Sequence, residues 1–77
     1  MRVSKELCEA FDKRINEEIV GTALSKMNDA ERRAHLHDDV YQLLLNTACE
    51  HAMNNNWDAA FNVADEIEIH LSRYLSR

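Results

Sequence analysis

The sequence predicts an all-α fold: three antiparallel helices in an up-down-up bundle, or a long helical hairpin plus a third helix, completed by dimerisation. Three observations lead there. The 77 residues include no proline and one glycine, Gly21, so the tight turns of a multi-stranded sheet are scarce. Good helix formers, namely alanine, leucine, glutamate and arginine, are plentiful. Apolar residues recur at helical spacing along most of the chain.

The first helix is expected over residues 5–27, with Ser4 as its N-cap. Its apolar stripe is unusual. Leu7, Phe11, Ile15, Ile19, Ala23 and Met27 step by four, so on a regular α-helix the stripe drifts around the axis. Val20 and Leu24 fall far from Leu7 on the wheel. Either the helix wraps its neighbours, or Gly21 resets it, or its second half faces another subunit.

The second helix is expected over 29–53. Asn28 and Glu31 form a capping box with asparagine in the serine position. A later start is the alternative, with Asp38 or Asp39 as the cap and Ala30 to His37 as a separate helical turn. The apolar arc of this helix is broad, running through Leu36, Val40, Tyr41, Leu43, Leu44, Leu45, Ala48 and Ala52. That breadth suits a central helix touching both others. Asn54, Asn55 and Asn56 mark the clearest break, because asparagine favours turns and caps.

The third helix is expected over 57–74. Trp57, Ala60, Phe61, Ala64, Ile67 and Leu71 share one half of its wheel. Ile69 lies on the opposite, polar half, among Asp58, Asn62, Asp65 and Arg73. Ala48, Asn55, Trp57, Ala60 and Ala64 resemble the middle of a tetratricopeptide repeat over about 25 residues. Ala48 and Asn55 stand where that repeat has glycines, and its terminal proline is absent. The resemblance implies a closely packed helix pair and assigns no family.

Charge narrows the function classes. The chain carries −5, from 14 acids and 9 bases. A general nucleic-acid binder needs a basic face, and an anionic membrane repels such a chain. No apolar run approaches the roughly 20 residues that span a bilayer. The charged start gives no signal-peptide core, and the expected compartment is the cytoplasm.

Candidate chemistry is thin, and no enzyme, cofactor or metal is expected. His35 and His37 are two apart and diverge on a helix, so they do not form the i, i+4 pair a metal prefers. A hairpin closing near Asn28 sets Cys49 roughly opposite Cys8 and leaves open whether Cys8, Cys49 and His51 gather at one end of the bundle; a tetrahedral zinc site there needs a fourth ligand. Cys8, near Lys5 in the first turns of its helix, is the best placed nucleophile, and three short helices offer little pocket. The carboxylate pairs Glu17–Glu18, Asp38–Asp39 and Asp65–Glu66 diverge as helix neighbours do.

The apolar inventory, 45% of residues, exceeds what one small core needs. Unused apolar surface marks an interface. The expected function is a small acidic protein–protein interaction module that pairs with itself as a homodimer through Val20, Leu24, Tyr41, Leu45 and Ile69. Its setting would be that of a regulatory or adaptor protein, or of a mobile-element (phage or plasmid) accessory protein. A second reading is a nucleic-acid mimic that inhibits a nucleic-acid-processing protein through Asp58, Asp65, Glu66 and Glu68. A third is a weak DNA-binding regulator using Arg32 and Arg33, although flanking acids disfavour direct nucleic-acid binding there.

Overall fold

The computed structural model describes residues 4–75, and every regular element among them is a helix. The first stretch consists of three consecutive segments: α1 (Lys5–Lys13), a π-helical segment (Arg14–Gly21) and α2 (Thr22–Lys26). Ser4 caps the start as expected, its Oγ accepting from the Leu7 N–H at 3.3 Å.

The π-helical segment explains the step-of-four stripe. A step of four overshoots an α-helical turn of 3.6 residues. An i→i+5 turn takes in more residues, and a step of four falls short of it. Alternating the two keeps Phe11, Ile15, Ile19, Ala23 and Met27 on one side, and all five are buried. Gly21 therefore does not break the helix. It ends the widened segment, where a Cβ would lie 2.8 Å from the carbonyl oxygen of Asn16, five residues back. The Thr22 hydroxyl likewise donates to the Glu17 carbonyl, five residues back, at 3.2 Å.

Met27 leaves the helix in extended backbone. Asn28 and Glu31 then form the expected capping box at the start of α3 (Asp29–Leu36). The single second helix over 29–53 is corrected here. The chain breaks at His37 and Asp38, and α4 (Asp39–Met53) starts afresh. Asp38 adopts extended backbone and its Oδ1 accepts from the Tyr41 N–H at 3.0 Å, so this residue, and not Asp39, is the cap.

The asparagine run divides its labour. The Asn55 N–H donates to the Ala52 carbonyl at 3.0 Å, and the Asn56 N–H to the His51 carbonyl at 2.8 Å, the paired bonds of a Schellman motif. Asn55 occupies the left-handed position at φ 60° and its Oδ1 accepts from the Trp57 indole N–H. Asn56 caps α5 (Trp57–Ser72) through the Ala59 N–H.

α4 and α5 run antiparallel, because Asp38 at the start of α4 meets His70 and Tyr74 at the far end of α5. Their seam is built of small residues: Ala48, Ala60 and Ala64 are wholly buried, the close pairing implied by the repeat-like pattern. α5 also lies beside the first helical stretch and parallel to it. Phe11 meets Trp57 and Phe61 edge-on, and Arg14 meets Asp65 and Glu68. The central element is thus α5, not the second helix as its wide apolar arc suggests. No helix among the described residues is long and apolar enough to cross a membrane.

Candidate functional site

The wide arc of α4 ends up partly in solvent. On α4, Leu43 is 66% exposed and Val40 53%; beyond it, Leu36 of α3 is 72% exposed and Ile69 of α5 61%. Val40 and Leu43 are three apart on α4 and so share a face. Val40 and Leu44 of α4, with Ile69 of α5, line an open groove of about 260 Å³, whose other walls are Glu66, His70 and Arg73.

The residues expected at an interface divide. Ile69 projects outward, as its place on the polar half of the wheel implies. Val20, Leu24 and Leu45 are half-buried against the core. Tyr41 is corrected: it is 8% exposed and faces inward, its ring centroid 4.4 Å from that of His35. The break before α4 causes this. It lets α3 fold back so that His35, itself buried, covers Tyr41.

Beneath the groove lies a polar cluster that sequence reasoning did not find. The Asp38 carboxylate, 8% exposed, accepts from the Tyr74 hydroxyl and pairs with His70 Nε2 at 2.6 Å. Burial pushes this carboxyl up. Hydrogen bonds from Tyr74, the Tyr41 N–H and His70 outweigh it and hold the group at about 2, against an ordinary 3.8. Burial and then the Asp38 carboxylate push the Tyr74 phenol up to about 12. The cluster pins the α3–α4 junction to the end of α5. His70 is therefore fixed where it lines the groove. Among the described residues, the buried Nδ1 of His35 has no hydrogen-bond partner.

The other candidates are placed as follows. Asp58, Asp65, Glu66 and Glu68 are all exposed, but Asp65 and Glu68 are engaged by Arg14 at 3.0 and 3.3 Å. These hydrogen bonds raise the Arg14 pKa further. Two of the four supposed mimic charges thus share one cation within the fold, which Glu18 also approaches at 3.6 Å. Arg32 donates to the Leu24 carbonyl at 3.1 Å and covers a carbonyl at the end of α2; Arg33 is exposed. Cys8 and Cys49 are free thiols that line one apolar cleft of about 450 Å³ with Phe11, Met53 and Trp57. The two cysteines thus share one cleft, and His51 does not join them in its wall. Among the described residues, no group of three or more His, Cys, Asp or Glu side chains is placed to hold a metal ion. Comparison with protein families, with curated proteins and with solved structures finds no match.

Proposed function

We propose that this protein is a small helical interaction module, an up-down-up bundle that pairs with a second copy of itself through the exposed apolar face of α4 and α5. It acts by binding and not by catalysis. One observation carries the reading: three large aliphatic side chains, Val40 and Leu43 of α4 and Ile69 of α5, are more than half exposed in a chain of this length. Single exposed hydrophobes are ordinary, but clustered ones mark contact surfaces. Small domains bury too little surface alone and gain stability by association.

Sedimentation velocity across micromolar to near-millimolar concentrations tests this. The wild type should pass from monomer to dimer, and Ile69→Asp should remain monomeric with unchanged far-ultraviolet circular dichroism. A wild type that stays monomeric throughout that range removes self-association from the account.

A further inference from the structure

The exposed stripe of α5 is electrostatically self-complementary. Glu66, Ile69 and Arg73 line the same groove, and at α-helical spacing they fall within a sector of about 60°. Glu66 and Arg73 are exposed, and neither forms an ion pair with another described residue. The neighbouring acids Asp65 and Glu68 are, by contrast, engaged by Arg14. Seven residues separate Glu66 from Arg73, about 10 Å along the axis. Ile69 lies almost midway between them.

From this pattern we infer that the groove is occupied by a second copy of the chain, with the two α5 helices crossing antiparallel about a two-fold axis at Ile69. The inference rests on the self-association proposed above and adds its geometry. In that arrangement Glu66 of each copy comes level with Arg73 of the other. Two symmetry-related ion pairs then flank the Ile69 contact, as an isologous interface requires. Each Ile69 is directed to the α4–α5 groove of the other copy, against Val40 and Leu44. A parallel arrangement would set Glu66 against Glu66 and Arg73 against Arg73, and like charges opposite one another are disfavoured. His70, the remaining ionisable wall of the groove, is held by Asp38.

Charge reversal tests the geometry. Glu66→Arg and Arg73→Glu should each weaken dimerisation, by about tenfold, because each replaces two attractions with two repulsions. The double variant Glu66→Arg/Arg73→Glu should restore wild-type association. Raising the salt concentration should narrow these differences. In a Cys8→Ser/Cys49→Ser background, Ile69→Cys should crosslink to itself under mild oxidant, being at the axis, and Asp58→Cys should not. A wild type that dimerises while both single variants match it, or while the double variant associates no better than either single one, overturns the antiparallel crossing and leaves self-association standing. A monomeric wild type overturns both.

Discussion

Replacing Asp38 with asparagine isolates the work of one buried charge. Asparagine caps helices as well as aspartate does, so the Tyr41 N–H keeps an acceptor. What disappears is the negative charge that Tyr74 and His70 face. In the folded protein the Asp38 carboxyl sits at about 2, below its ordinary 3.8. A carboxyl depressed in this way contributes stability that is fully present above about pH 4 and is lost as the pH falls through about 2. The gap between the two values is worth about 2 kcal/mol, at about 1.4 kcal/mol per pH unit. At 8% exposure of the side chain, solvent screening removes little of it.

The wild type should therefore exceed Asp38→Asn in stability by about 2 kcal/mol at pH 7, and most of that difference should be gone at pH 2. The assay is urea unfolding followed by circular dichroism and Trp57 fluorescence, at one fixed protein concentration because association adds to apparent stability. Other carboxylates titrate over the same range, so the quantity to read is the difference between the two proteins. A difference of equal size at pH 7 and pH 2, or none at pH 7, would refute the claim that this charge holds the α3–α4 junction to α5.

Two further substitutions test the packing. Gly21→Ala ordinarily strengthens a helix by 0.5–1 kcal/mol, yet here the new Cβ meets a backbone oxygen at 2.8 Å. We expect a net loss on the order of 1–2 kcal/mol in chemical denaturation, and a gain would mean that the segment winds as ordinary α-helix. Ile67 and Ile69 are two residues apart, one wholly buried and the other mostly exposed. Ile67→Ala should cost about 2–5 kcal/mol, whereas Ile69→Ala should leave the unfolding of dilute monomer almost unchanged; equal losses would contradict the assigned faces.

Much of this architecture is written locally in the chain. Ser4, the Asn28–Glu31 box and the three asparagines act within a few residues of themselves, so their caps and turn were legible. Ile69 was legible for a different reason: a lone aliphatic on a polar half-wheel has only one way to face. The helix break at Asp38 was harder to read, because Asp38 and Asp39 are equally good caps and the choice depends on Tyr74 and His70, more than 30 residues away. Tyr41 was misplaced for the same reason. Its arc on the wheel was correct, but which part of a wide arc points inward depends on where α3 sets His35. The π-helical segment left a signal in the step of four. At the sequence level that signal also fitted a helix that wraps its neighbours, and the five-residue turns that bring Gly21 to Asn16 and Thr22 to Glu17 distinguish the two.

The exposed apolar face follows from how α4 and α5 meet. Alanines at 48, 60 and 64, on the two helices of the pair, are wholly buried. Small residues let two helix axes approach closely, and a close approach leaves less room at those positions for the leucines and valine of α4. The larger aliphatics of α4 must then flank it. Leu44 and Leu45 remain half-buried against the core. Around Val40, Leu43 and Ile69, on the outer side of the pair, the surface stays open. The alanine seam thus fixes the tight helix pair and, by the same geometry, pushes onto its outer side the apolar residues that a second copy would cover.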